Sequence, residues 1–177
     1  MSKTQSQQLM GEWRHINWRK LERRVFKLQT RIHKASSRGD VKVVRKLQKT
    51  LIRSWSAKCL SVRRVTQDNQ GKKTAGVDGI SSLSPAARLT LVANLKISSK
   101  AKPTRRVWIP KPGSEEKRPL GIPTMKDRAL QALIKLALEP EWEARFEANS
   151  YGFVRLVGAA ERVPTLERAT PPRKLCA

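Results

Sequence analysis

Cysteine and histidine are nearly absent. The 177-residue chain has two of each, Cys59, Cys176, His15 and His33. The two cysteines make no disulfide framework, and two histidines without a cysteine cluster argue against a structural zinc site. Cys59 falls in a helical pattern and reads as a small core hydrophobe. Long apolar runs are missing too. Lys135 interrupts the best of them, "ALIKLAL", so no stretch approaches the roughly 20 residues of a membrane span. Residues 1–8 are polar and make no secretory signal. The expectation is a cytoplasmic, reducing location with no membrane partner. Aspartate is also scarce, at positions 40, 68, 78 and 127 alone. Two-metal phosphoryl transfer needs carboxylates converging on ions about 3.5–4 Å apart. Asp40 reads as a helix cap, Asp127 as a first-turn acid, and Asp68 and Asp78 fall in loop sequence. No catalytic residue and no metal ligand is expected among them.

Positive charge is what the chain has in excess. Lys and Arg total 38 against 14 acids, a formal net charge of +24. Clustered cations gain by releasing counterions from phosphates, so the partner implied is nucleic acid. An ordinary solvated surface and an anionic membrane explain this magnitude less well. Residues 1–74 hold 20 Lys or Arg and 4 acids, a net +16, and a second basic cluster lies at 102–118.

Periodicity places the first cluster on helices. Trp18, Leu21, Val25, Leu28 and Ile32 recur at spacings of three and four within residues 13–35, one apolar stripe. "SSRGD" then breaks the pattern. Gly39 suits a left-handed helix end and Asp40 a cap for the next helix. Val41, Val44, Leu47 or Gln48, Leu51, Trp55 and Cys59 continue a stripe to about Val65. The prediction is a helical hairpin whose cations mostly stay wet. Arg19, Arg23, Lys27, Arg31, Arg45, Lys49 and Arg53 are the candidate RNA-binding residues.

The rest is mixed. "TQDNQGKKTAGVDGISSLS" is loop by composition. Ser84-Pro85 opens a short helix. "RRVWIP" and "RPLGIP" read as strands joined by the turn "KPGSEEK", a hairpin carrying Arg105, Arg106, Lys111, Lys117 and Arg118. Thr124 and Asp127 open a further helix. Pro140 is expected to interrupt it, with "EWEARFEA" helical beyond. The fold class expected is α+β, mostly helical. Charge and geometry alone make the hairpin a gripper of phosphates, Arg as a bidentate fork and Lys as a mobile point charge.

Four motifs in order, "AGVDG" (75–79), "RRVWIPKPG" (105–113), "KRPLGIPTMKDRALQ" (117–131) and "EPEWEARFEANSYGF" (139–153), resemble the N-terminal part of bacterial group II intron-encoded reverse transcriptases, which also act as maturases. The likeness covers roughly residues 1–153. It implies an RNA-binding N-terminal extension over 1–74 and the fingers of a right-hand polymerase over 75–153. It implies intron RNA as partner, with a DNA target as a second possibility, in splicing and retrohoming. It implies that Arg105, Lys111 and Arg118 contact the phosphates of the incoming nucleotide. Variable loop length leaves Lys117 as an alternative to Arg118, and Arg106 reads as lying on the opposite strand face.

The family's "YADD"-like hairpin does not occur here. The enzyme implied is an RNA-directed DNA polymerase, and this chain is expected to be inactive alone. It needs no cofactor of its own; Mg²⁺ belongs to the full-length polymerase. After "SYGF" the family continues Arg-Pro-x-Arg-Ser, whereas this chain reads "VRLVGA". A neighbouring reading frame can encode Pro-Gly-Arg-Ser there. The expectation is a frameshift after Phe153 and a divergent, disordered tail over 154–177; a natural flexible tail is the alternative. Three readings stay open: an N-terminal fragment of the maturase, a stand-alone RNA-binding module, or a non-functional remnant. Sequence does not decide oligomeric state.

Overall fold

The computed structural model describes residues 13–97 and 101–146. Five helices and one two-stranded antiparallel hairpin form there: α1 (Trp18–Ser37), α2 (Val41–Arg53), α3 (Trp55–Arg63), α4 (Pro85–Ala93), β1 (Arg105–Pro110), β2 (Lys117–Ile122) and α5 (Met125–Glu143). A π-helical turn (Arg64–Asp68) and a 3-10 turn (Gln70–Lys73) follow α3. The α+β, mostly helical class is as expected. The tail 154–177 and the "SYGF" motif lie outside the described residues.

Local chemistry sets most boundaries. Asn17 caps α1 by accepting from the Lys20 N–H. At the other end, the Gly39 N–H donates to Ser36 O (2.9 Å) and the Asp40 N–H to Ala35 O (3.0 Å), with Gly39 at φ 73°. That pair of bonds satisfies two of the helix's last carbonyls, and the left-handed residue between them costs glycine little. Asp40 then caps α2 by accepting from Val43 N–H. Ser84 and Thr124 cap α4 and α5 as the sequence suggests, through Ala87 N–H and Asp127 N–H.

The second stripe is where the structure departs from expectation. One helix to about Val65 is replaced by two, broken at Ser54. Ser54 adopts extended backbone (ψ 133°), ends α2 and caps α3 by accepting from Ala57 N–H. The stripe is shorter than periodicity suggests. Val44, Leu47, Leu51 and Cys59 are buried, but Val41 is 42% exposed and Trp55 50% exposed. Val41 is the first residue of α2, before the packed turn, and Trp55 follows the break that rotates α3 away from the α2 face.

Pro140 gives the other correction. It does not interrupt α5, which runs through it to Glu143. Proline lacks the N–H that would serve the Leu136 carbonyl four residues earlier. The Gln29 side chain of α1 supplies the missing donor, Nε2 to Leu136 O at 2.9 Å. Ser36 Oγ donates to Glu141 O (3.0 Å) and Gln48 Nε2 to Glu141 Oε2 (2.7 Å), so three polar links seat this end of α5 on α1 and α2. Gln29→Leu should therefore cost about 1–2 kcal/mol by stranding a half-buried carbonyl. Urea unfolding measures it, and an unchanged midpoint would show that Leu136 O finds water instead.

The apolar core draws on both sides of residue 74. Leu21, Val25 and Ile32 of α1 meet Val44, Leu47 and Leu51 of α2, and Ala129, Leu133 and Ala137 of α5 close over them. Trp13, which periodicity did not single out, is buried in the same core. It lies edge-on to Trp18 at 5.0 Å between ring centroids, and its Nε1 donates to Gln67 Oε1 at 3.1 Å. Cys59 is fully buried, and burial pushes its thiol pKa up to about 12, so it is a core atom and not a nucleophile.

Candidate nucleic-acid interface

Arg19, Arg23, Lys27 and Arg31 repeat every four residues along α1, and Arg45, Lys49 and Arg53 do the same on α2. At 3.6 residues per turn each step drifts only about 40°, so each set is a slowly winding row about 1.5 Å per residue long. All seven residues are exposed. The few nearby acids are engaged elsewhere. Arg63 takes both Glu22 (3.6 Å) and Asp68 (3.7 Å), and Asp40 is used as the α2 cap. Among the described residues no carboxylate pairs with any of the seven, so their charge is open to solvent.

Two cations that periodicity missed extend the α2 row. Lys49 and Arg53 rim a cavity of about 340 Å³ whose other cations are Lys58 of α3 and Lys96. Its apolar floor includes Leu95 and Leu133. Lys58 and Lys96 come from different elements, so only packing brings them beside Lys49 and Arg53.

The hairpin sorts its cations by strand parity. In the register, Arg105 pairs with Ile122, Ile109 with Arg118 and Pro110 with Lys117. Side chains alternate, so Arg105, Val107 and Ile109 share a face with Arg118, Leu120 and Ile122. Arg106, Trp108, Lys117 and Pro119 lie on the other face. Arg118 rather than Lys117 therefore accompanies Arg105, and Arg106 is opposite, as sequence suggested. Lys111 sits just past β1, where its N–H donates to Glu116 O at 2.9 Å and continues the ladder. Its ammonium pairs with Glu116. That exposed ion pair is worth about 0–1 kcal/mol and yields readily to a phosphate. Arg105 and Arg118 stand four residues apart along the face, about 13 Å at 3.3 Å per residue.

Each of the four aspartates has a local role. Asp40 and Asp127 stand at helix starts, Asp68 pairs with Arg63, and Asp78 accepts from Ile80 N–H at 3.3 Å in a turn closed by Gly79 N–H to Gly76 O. Among the described residues no three His, Cys, Asp or Glu gather as a metal site. Glu143 stands apart from the cationic rows. Burial and Glu139 push its carboxyl pKa up to about 7, against the opposing charge of Lys135.

Residues 13–95 match the N-terminal domain of reverse transcriptase. A maturase-like protein of Euglena gracilis is 36% identical over 152 residues, covering 80% of this chain and 31% of that protein. The group II intron-encoded protein LtrA of Lactococcus lactis subsp. cremoris is 35% identical over 88 residues, 48% of this chain and 15% of that protein. Protein YkfC of Escherichia coli K12 is 38% identical over 96 residues, 51% of this chain and 25% of its own length. The chain corresponds to the N-terminal part of a group II intron reverse transcriptase/maturase. It spans about a third or less of the length of these curated relatives.

In this reverse transcriptase/maturase segment, two of the sequence motifs meet in space. A Cβ on Gly76 of "AGVDG" would stand 2.8 Å from Pro123 O and from Thr124 Cα of "GIPTMKDR", so only glycine lets the two backbones touch. Arg128 fastens the same junction. Its Nε donates to Pro123 O (2.9 Å), Nη1 to Gly71 O (2.9 Å) and Nη2 to Thr74 O (2.7 Å). The sequence assigned Arg128 no role, because two of its three acceptors are backbone carbonyls more than 50 residues away. No described helix is long and apolar enough to cross a membrane.

Proposed function

We propose that the chain binds structured RNA, intron RNA in its family setting, through the cationic rows of α1 and α2. Arg19, Arg23, Lys27, Arg31, Arg45, Lys49 and Arg53 are the phosphate contacts, with Lys58 and Lys96 extending the α2 row. The observation that carries this reading is that all seven are exposed and, among the described residues, without carboxylate partners. Such cations bind polyanions by releasing counterions. The hairpin of β1 and β2 is the fingers element. It presents Arg105, Lys111 and Arg118 to nucleotide phosphates in the longer proteins, and contributes little to RNA affinity here. Support for this comes from the strand face that Arg105 and Arg118 share and the membership in the family.

Lysine acylation tests the division directly. Bound structured RNA should protect Lys27 and Lys49, while Lys111 on the hairpin and Lys135 on α5 keep their reactivity. Protection of Lys111 with Lys27 and Lys49 left reactive would overturn the assignment.

A further inference from the structure

A second concavity lies away from the α2 rim. It has a volume of about 330 Å³ and is lined by Thr66, Gln67, Lys72, Lys73, Ser82 and Arg88. None of these six is acidic, and their polar groups are overwhelmingly donors. Gln67 Oε1 is occupied by the Trp13 indole at 3.1 Å, which leaves Nε2 as the group Gln67 can offer as a donor. Lys72 Nζ is positioned by Gln67 O at 2.6 Å, with two further N–H groups to give. Lys73 is exposed. Thr66 Oγ1 gives its proton to Val62 O at 2.8 Å and serves as wall.

Arg88 is the telling member. Its guanidinium lies 5.9 Å from the Trp13 ring centroid, and its Nε is buried with no acceptor among the described residues. A buried N–H on a charged group without an acceptor is costly, and such groups in native proteins call for an explanation. Burial also lowers the Arg88 pKa. An anion in the pocket would supply a countercharge to the guanidinium.

We propose that this pocket binds a phosphoryl group, gripped by Arg88, Lys72 and Lys73 with Ser82 as a hydroxyl donor. Arginine and lysine beside a hydroxyl match the oxygens of a phosphate in number and charge. The phosphoryl group can belong to a nucleic-acid backbone or to a free ligand; the recognition chemistry is the same. The inference is independent of the RNA-binding rows of α1 and α2, because inorganic phosphate alone probes it.

Thermal unfolding of the full chain in inorganic phosphate, against sodium chloride of equal ionic strength, is the test. A bound ligand raises Tm, here by about 3 °C or more. Arg88→Met and Lys73→Gln should each lose most of that rise. Lys73 is exposed, so its variant carries the test if Arg88→Met fails to fold. No rise in the wild type, or an equal rise in all three proteins, overturns the proposal. A second arm adds single-stranded RNA. Competition between RNA and phosphate, with weaker RNA binding by Lys73→Gln, assigns the pocket to a backbone phosphate. Retained phosphate stabilisation without competition assigns it to a free phosphoryl ligand.

Discussion

Replacing Arg19, Arg23, Lys27, Arg31, Arg45, Lys49 and Arg53 by glutamine should weaken binding to structured RNA by roughly a thousandfold at moderate salt, and flatten its salt dependence. Each phosphate contact contributes close to one unit of the log–log salt slope, so losing seven should remove about six units. Glutamine keeps the helix propensity and part of the aliphatic stem, so the effect isolates charge. All seven residues are exposed and none pairs with a described carboxylate, so the fold should be unaffected. Circular dichroism checks that point. A variant that is folded and binds RNA as the wild type does would move the interface off these helices.

Arg128→Met should be strongly damaging at the junction of the two motifs. Three charge-assisted hydrogen bonds to carbonyls are lost, and the 3-10 turn Gln70–Lys73 loses its tie to α5. Hydrogen bonds from charged groups are worth about 1.5–3 kcal/mol each, and partial exposure lowers the sum. About 3 kcal/mol in all is expected, a fall in Tm of about 10 °C for a chain of this size. Arg128→Lys should recover only part of it, since one ammonium cannot reproduce the planar fork. Loss of less than about 0.5 kcal/mol in urea unfolding would show that water replaces the guanidinium at all three carbonyls.

The features legible in the sequence are those whose chemistry is local. Asp40, Ser84 and Thr124 bond to N–H groups three residues on, and Gly39 needs only its own φ, so each can be recognised from its neighbours. Strand parity likewise separates Arg105 and Arg118 from Arg106 and Lys117 once the hairpin is recognised. The ordered motifs carried the family. What the sequence concealed depends on distant partners. Pro140 looks like a helix breaker until Gln29, over 100 residues earlier, takes up the orphaned carbonyl. Ser54 looks like a tolerated polar residue in a continuous stripe, yet its hydroxyl caps α3. Trp13 finds its partners in Trp18 and Gln67, the second of them across the core, and periodicity cannot show that. The pocket around Arg88 is assembled from separate stretches, and only the fold reveals that no acid among the described residues lines it.

The division of labour between helices and hairpin rests on two physical contrasts. The helical rows offer seven exposed cations, none paired with a carboxylate among the described residues, on elements of 20 and 13 residues. The hairpin offers three, of which Lys111 already faces Glu116 and Arg105 stands about 13 Å from Arg118. The most direct measurement is RNA affinity, as a function of salt, for two variants of the full chain side by side. One neutralises the seven helical cations and the other neutralises Arg105, Lys111 and Arg118. The seven-charge variant should lose more binding free energy per charge removed and show the larger drop in salt slope. A greater loss per charge in the three-charge variant would mean that the hairpin holds the RNA, and would contradict the assignment of the interface to α1 and α2.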